Sequence, residues 1–178
     1  NIIWNDDHDV WACNLAFEEA WPIDVLVSTD ANRQHQIYTS GYAEHHRCIF
    51  LDWNPAPPEM TPQMMEDLGY HTISNEPTGN DVVMSGYKLR LFFTYLTDKD
   101  CVESVQMKSL PRRFSAGGLA MWQAAQEGYD EILLAGFGDE LHAYRQYTKG
   151  YDEPHTEYWK EEREFIINTY SNIEWRYI

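Results

Sequence analysis

The sequence is poor in cysteine, and its few cysteines form no recognisable metal or disulfide pattern. Cys13, Cys48 and Cys101 are the three cysteines among 178 residues. Because they are odd in number, widely spaced and without a Cys-x-x-Cys pair, they indicate neither a disulfide framework nor a cysteine zinc site. We therefore expect reduced thiols and a cytoplasmic protein.

Basic residues are also scarce. The chain has 13 Lys and Arg residues against 29 Asp and Glu residues, which gives a formal net charge of −16. Such a surface repels phosphate backbones, so we expect no nucleic-acid partner. An anionic ligand would need local positive charge, and Arg112-Arg113 is the only adjacent basic pair.

Long apolar runs are missing. No run reaches the roughly 18 residues of a membrane-spanning helix, and no signal peptide is recognised, so we expect no membrane span. The first residue is Asn1 rather than Met, so we expect some N-terminal sequence to be missing. A length of 178 residues suits one domain, over residues 1–178, with a sizeable core.

Several motifs of well-known enzymes are absent. The chain has no GxGxxG, GxxxxGK[ST] or GxSxG, which counts against a dinucleotide oxidoreductase, a P-loop NTPase and an α/β-hydrolase. Asp7-His8-Asp9 has the DxD spacing of some metal-dependent transferases, but a solvated turn explains it as well. His45-His46 and Asp139-Glu140-His142 lack a third ligand at a telling spacing. We therefore predict neither a metal nor a cofactor.

What is present is an alternation of strands and short helices. Residues 23–30 predict a strand, residues 31–40 a helix closed by Gly41, and residues 47–51 another strand. This order predicts an α/β fold with a mostly parallel sheet flanked by helices. The middle of the chain is less regular: residues 61–68 predict a helix, residues 70–75 and 101–107 predict strands, and residues 84–96 fit either.

Ligands of such sheets gather beyond the carboxyl ends of the strands. Asn14 ends an apolar run over residues 9–14, Asp30 ends the strand predicted at residues 23–30, and residues 136–139, which begin with Gly136, follow an apolar run at residues 131–135. Asn14 and Asp30 are therefore candidates for hydrogen bonds to a ribose or a base. The alternative is that Asn and Asp serve here as ordinary turn residues.

Residues 112–138 predict a loop, a helix and a strand. Ser115 is a good N-cap, and Gly117 and Gly118 in the first turn offer a backbone that another group can approach closely. A phosphate or carboxylate could bind at this helix N-terminus. The alternative is a tightly packed helix whose glycines serve helix contact.

The C-terminal part predicts a loop, a helix and a strand. Residues 139–154 are polar and rich in tyrosine, as in a lid loop, and Thr156 would cap a helix over residues 157–170 before a strand at 172–177. The helix N-terminus should favour the neutral form of His155, which could then act as a general base. The alternative is a surface histidine beside a cap.

Three segments, taken in order, resemble the bacterial sialyltransferase-like family. Arg113-Phe114-Ser115-Ala116-Gly117, with Gly128-Tyr129 and an apolar strand ending in Gly136-Phe137, is similar to that family's Ser-Gly loop, helix and strand. His155-Thr156-Glu157-Tyr158 is similar to the segment after its catalytic histidine, and Val10-Trp11-Ala12-Cys13-Asn14 resembles its early strand.

The resemblance implies a single Rossmann-like domain that binds a CMP-sugar and transfers the sugar to a glycan or small-molecule acceptor without a metal. His155 would be the base, and Tyr144 and Tyr147 would contact the leaving phosphate. The candidate residues for nucleotide or donor binding are Asn14, Asp30, Ser115, Ala116, Gly117, Gly136, Tyr144 and Tyr147.

The chain departs from the family pattern at its start, after Phe137 and in the tyrosine spacing of the lid, which matches only approximately. Residues 1–7 lack the family's Gly-Asn-Gly-Pro-Ser loop, and Gly138 stands where the family has an acid. A non-catalytic binding or assembly module on the same fold is therefore an alternative. A diphosphokinase-like enzyme is another, and it would need Mg²⁺ and carboxylates near Asp7, Asp9 and Asp30.

Overall fold

A computed structural model describes residues 8–19, 22–53, 62–67, 70–74, 83–86, 93–95, 101–137 and 156–178. The strands are β1 (Trp11–Cys13), β2 (Val25–Ser28), β3 (Arg47–Leu51), β4 (Tyr70–Ser74), β5 (Val83–Gly86), β6 (Phe93–Tyr95), β7 (Val102–Val105), β8 (Glu131–Leu134) and β9 (Glu174–Tyr177). The helices are α1 (Ala31–Thr39), α2 (Pro62–Asp67), α3 (Ala116–Glu127) and α4 (Thr156–Thr169). Short 3-10 helices span Asn14–Glu18, Tyr42–Glu44 and Met107–Ser109.

The largest sheet has four strands in the order β1-β2-β3-β7, and every neighbouring pair is parallel. All four residues of β2 are buried, as are the last four of β3. Burial on both faces fits the apolar runs at residues 25–27 and 48–51, the pattern expected of a parallel sheet. The predicted α/β class with a mostly parallel sheet flanked by helices is confirmed.

Helix α1 covers one face of this sheet. Gln34, Ile37 and Tyr38 are its buried residues, and their spacing places them on one side of the helix. Gly41, at φ 80°, follows the helix in the left-handed conformation that glycine adopts readily. The core cluster on this side consists of Leu26, Ile37, Tyr38, Ala43, Cys48, Phe50 and Trp53.

A second sheet is antiparallel. Strands β4, β5 and β6 pair in that order, with a register shift between Thr72 and Ser74. The described parts of residues 84–96 belong to β5 and β6, so the strand interpretation of this ambiguous stretch is the one that applies to them.

The chain divides into two compact units, Asp6–Ala116 and a second one containing Gly117–Ile178. In the second, β8 and β9 form a parallel pair on either side of α4 in the sequence. Trp122 of α3 stacks on Phe165 of α4 with ring centroids 6.1 Å apart, and its ring meets Tyr170 edge-on. One domain over residues 1–178 stays a prediction.

Some local details differ from expectation. Thr156 is the first residue of α4 rather than its cap, a shift of one residue at a helix end. The predicted lid at residues 139–154 lies outside the described residues, as do residues 1–7, where the family's Gly-Asn-Gly-Pro-Ser loop is missing.

Within the part of the chain that is described, no helix combines the length and the apolar character needed to cross a membrane.

Candidate functional site

Polar residues follow the carboxyl ends of three neighbouring strands. Asn14 comes directly after β1, Asp30 two residues after β2, and Asp52 directly after β3. Because these strands are parallel neighbours, their carboxyl ends meet at one edge of the sheet. We call the set Asn14, Ser28, Asp30 and Asp52 the carboxyl-edge set.

A hydrogen bond joins the first two strands at this edge. Cys13 pairs with Val27, so the next residues along, Asn14 and Ser28, lie side by side. The hydroxyl of Ser28 donates to Oδ1 of Asn14 over 3.1 Å. Ser28 is buried and Asn14 is half-buried. The buried hydroxyl therefore orients the Asn14 carboxamide, and Asn14 itself remains partly exposed to solvent.

Two residues of the set have unusual backbone conformations. Asn14, at φ 54°, and Asp52, at φ 52°, are the non-glycine residues with positive φ in the described part of the chain. Asn and Asp tolerate this region better than other side chains do. Such conformations concentrate where backbone geometry serves binding or turning, and both lie at the same edge of the sheet.

The two carboxylates of the set also have local structural roles. Oδ1 of Asp30 accepts from the backbone N–H of Asn32 over 2.8 Å and so caps α1. Oδ1 of Asp52 accepts from the N–H of Met107 over 2.8 Å and links the turns that follow β3 and β7. The capping contact of Asp30 fits the alternative that this residue is an ordinary turn residue.

Gln34 was not singled out from the sequence, although it holds this edge together. It is 5% exposed, and its Nε2 donates to the carbonyls of Ser28 over 3.0 Å and of Leu51 over 2.8 Å. One amide thus fixes the last residues of β2 and β3 relative to each other. Its spacing with Ile37 and Tyr38 is the sequence signal that could have revealed it.

The start of α3 contains a different arrangement. Ser115 immediately precedes the helix, Ala116 is its buried first residue, and Gly117 and Gly118 follow. A Cβ added at Gly118 would overlap the carboxyl group of Glu162 and lie 2.7 Å from its Cγ. Glu162, from α4, is 1% exposed. The space that Gly118 leaves is therefore filled by a carboxylate of the protein itself.

Sequence reasoning also missed Glu162. It stands in the run Glu161-Glu162-Arg163-Glu164, which is typical of a solvated helix face. Its spacing of four residues from Ile166, which is fully buried, places it on the apolar side of α4 instead. A carboxylate beside the first turn of a helix is favourably placed with respect to the helix dipole.

The remaining predicted site residues divide into two groups. Gly136 follows β8 with φ 76° and is exposed, and no described atom lies within 4 Å of a Cβ added there. Tyr144, Tyr147 and His155 lie outside the described residues.

The candidate metal ligands do not come together in what is described. Across those ranges, no group of three or more His, Cys, Asp or Glu side chains could hold a metal ion. The ring of His46 stacks on Tyr42 with centroids 4.0 Å apart, and its Nδ1 lies 3.0 Å from the Tyr42 carbonyl oxygen. Asp7 and residues 139–142 lie outside the described residues.

A scan against protein-family models and searches of curated proteins and of solved structures give no match to this chain.

Proposed function

We propose that the protein is a metal-independent glycosyltransferase that uses a nucleotide-sugar donor, with a CMP-sugar favoured. The observation that carries the proposal is the hydrogen-bonded pair of Asn14 and Ser28 at the carboxyl edge of a parallel sheet. Ligands of open α/β sheets bind outside the carboxyl ends of the strands. The resemblance to the bacterial sialyltransferase-like family supplies the reaction.

Asn14 has the chemistry that base or ribose recognition needs. Its carboxamide combines a carbonyl acceptor with an NH₂ donor, so it can accept from an amino group or donate to a carbonyl of a base. The hydroxyl of Ser28 fixes the acceptor end, and Nδ2 is the donor that a ligand carbonyl would use. Such orientation before binding lowers the entropic cost of recognition.

The carboxylates at this edge fit the sugar part of a nucleotide better than its phosphates, since the chain already has a net charge of −16. Asp30 and Asp52 at the same edge suit ribose hydroxyls, which donate hydrogen bonds, better than phosphates, which do not.

In the proposed reaction, the acceptor hydroxyl attacks the anomeric carbon of the donor sugar while the bond to CMP breaks. His155 would take the hydroxyl proton, and Tyr144 and Tyr147 would donate hydrogen bonds to the departing phosphate. These roles follow from the resemblance. A neutral imidazole within about 2.6–3.2 Å of the hydroxyl would be needed.

Thermal unfolding in the presence of CMP, UDP or GDP tests the nucleotide proposal. A nucleotide at 100 times its dissociation constant should add about 2.7 kcal/mol to the free energy of unfolding. We expect CMP to give the largest shift, and Asn14→Ala to reduce it. Gln63→Ala, which removes an exposed side chain on α2, is the matched control and should leave the shift unchanged. No shift with any nucleotide at millimolar concentration would end the proposal.

One observation favours a second function, a binding or assembly module without catalysis. The carboxylate of Glu162 already fills the space at Gly118, at the helix start that the resemblance assigns to the donor. The missing Gly-Asn-Gly-Pro-Ser loop points the same way. A protein that binds CMP but transfers no sugar from any CMP-sugar would favour this module.

A further inference from the structure

Two cysteines that are distant in the sequence are held next to each other by the four-stranded sheet. Cys48 is the second residue of β3, and Cys101 immediately precedes β7. The backbone N–H of Cys48 donates to the carbonyl oxygen of Cys101 over 2.8 Å. Both thiols are free in this structure.

The backbone hydrogen bond limits the distance between their Cα atoms. Standard bond lengths put a Cα about 2.4 Å from its own carbonyl oxygen and about 1.5 Å from its own nitrogen. Adding the 2.8 Å hydrogen bond, the two Cα atoms cannot be more than about 6.7 Å apart. Disulfides span about 4.4–6.8 Å between Cα atoms, so this upper limit on the Cα separation is compatible with a disulfide.

The two sulfur atoms also approach the same short segment. The Sγ of Cys48 donates to the carbonyl of His46 over 3.4 Å, and the Sγ of Cys101 donates to the carbonyl of Glu44 over 3.5 Å. These carbonyls are two residues apart in the turn before β3. Burial, together with the nearby Cys101, raises the pKa of the Cys48 thiol to about 12.

We propose that Cys48 and Cys101 are an oxidation site, at which a peroxide joins them in a reversible disulfide between β3 and β7. Cys101 is half-buried and Cys48 is fully buried, so Cys101 meets the oxidant first. This site does not depend on the proposed function.

The reaction has two balanced steps. The Cys101 thiolate attacks one oxygen of hydrogen peroxide, so that an S–O bond forms, the O–O bond breaks and hydroxide leaves as water after taking up the thiol proton. The Cys48 sulfur then attacks the Cys101 sulfenic acid, an S–S bond forms, the S–O bond breaks and a second water leaves with the Cys48 proton. The two sulfurs together lose two electrons and the peroxide gains two.

The test combines peroxide treatment of the folded full chain with peptide mapping by mass spectrometry without reductant. We expect the intact protein to lose the mass of two hydrogen atoms and to yield one cross-linked peptide that contains Cys48 and Cys101. Dithiothreitol should restore the original mass. Cys13→Ser is the matched control, since Cys13 is also half-buried, and it should form the same cross-link.

Two further measurements test whether the disulfide joins these two cysteines. Cys101→Ala should remain folded by circular dichroism and form no cross-link, and the oxidised wild type should unfold at a higher urea concentration than the reduced one. A cross-link that contains Cys13 would overturn the proposal. So would separate Cys48 and Cys101 peptides in which one has gained oxygen atoms, because oxidation would then have ended without a disulfide.

Discussion

The carboxyl edge of the parallel sheet and the start of α3 were both candidate ligand sites, and they differ in how their polar groups are placed. At the sheet edge, the half-buried carboxamide of Asn14 bonds to a neighbouring hydroxyl. At the start of α3, the carboxyl group of Glu162 is almost completely buried against Gly118. A ligand can join the first arrangement, whereas it would have to displace part of the protein from the second.

The difference follows from the cost of moving each group. A half-buried amide exchanges one hydrogen bond for another at a net cost of about 0.5–1.5 kcal/mol, which a ligand can offset. Displacing a buried carboxylate leaves its former contacts unmatched and opens a cavity, which costs several times more. The sheet edge is therefore the better candidate for nucleotide binding.

The largest expected effect is on catalysis and concerns His155. If this residue is the general base, His155→Ala should lower sugar turnover by about 10²–10⁴-fold, because the acceptor proton would have no positioned acceptor. Nucleotide affinity should change little, since the proposal assigns binding to the sheet edge. Steady-state kinetics with a CMP-sugar, together with CMP titration, measure both quantities.

The matched control for that experiment is His45→Ala, which removes an exposed histidine of the first unit. It should leave turnover within about twofold of the wild type, since surface changes of this kind usually shift free energies by no more than about 0.5 kcal/mol. Unchanged turnover in His155→Ala would remove His155 as the base. A parallel loss of CMP affinity would show that binding and catalysis are not divided as proposed.

The second effect is on the sheet edge itself. Gln34→Leu should destabilise the protein by about 1–3 kcal/mol, because the buried carbonyls of Ser28 and Leu51 lose a donor that leucine cannot replace. Urea unfolding measures the change. Gln36→Leu on the exposed side of the same helix is the matched control and should shift stability by no more than about 0.5 kcal/mol. Equal effects of the two changes would mean that Gln34 does not hold this edge.

The third effect is at the start of α3. Gly118→Ala should cost about 1–2 kcal/mol, since overlap with Glu162 outweighs the roughly 1 kcal/mol that alanine gains over glycine in a helix. In a Glu162→Ala background the overlap is gone, so the same change should stabilise by about 1 kcal/mol. This reversal of sign in a double-mutant cycle, measured by urea unfolding, is the sharpest check of the contact. Additive effects would contradict it.

The parts of the fold that depend on local pattern were predictable. The strand predicted at residues 47–51 is β3, because an apolar run of that length bounded by polar turns is a local signal. The helix predicted at residues 31–40 matches α1, since its cap, Asp30, and its stop, Gly41, are both local. The alternation of strands and helices along the chain predicted that Asn14 and Asp30 lie at the ends of neighbouring strands, and β1 and β2 are paired neighbours.

Contacts between distant segments were not predictable in the same way. Gly117 and Gly118 predicted that some group approaches the helix closely, but nothing local identifies that group as Glu162. The charges on both sides of Glu162 hide its position on the buried face of α4. In the same way, the neighbourhood of Cys48 and Cys101 depends on β7 pairing with β3, a pairing between strands that are not consecutive in the sequence.

The smallest expected change in stability belongs to Asn14→Gly, and for that reason it separates binding from folding best. The substitution removes the hydrogen bond from Ser28, at a cost of about 0.5–1.5 kcal/mol. It also relieves the strain of a side chain at φ 54°, which for asparagine is smaller than the roughly 1–2 kcal/mol of most other residues and which glycine does not have. The two terms nearly cancel, so urea unfolding should show a change below about 0.5 kcal/mol.

CMP affinity should nevertheless fall by about tenfold or more, because the carboxamide that would bind the base is gone. Gln63→Gly, which removes an exposed side chain of α2, is the control for CMP affinity and should retain full binding. An Asn14→Gly protein that folds normally and binds CMP as tightly as the wild type would show that the sheet edge serves the fold rather than a nucleotide.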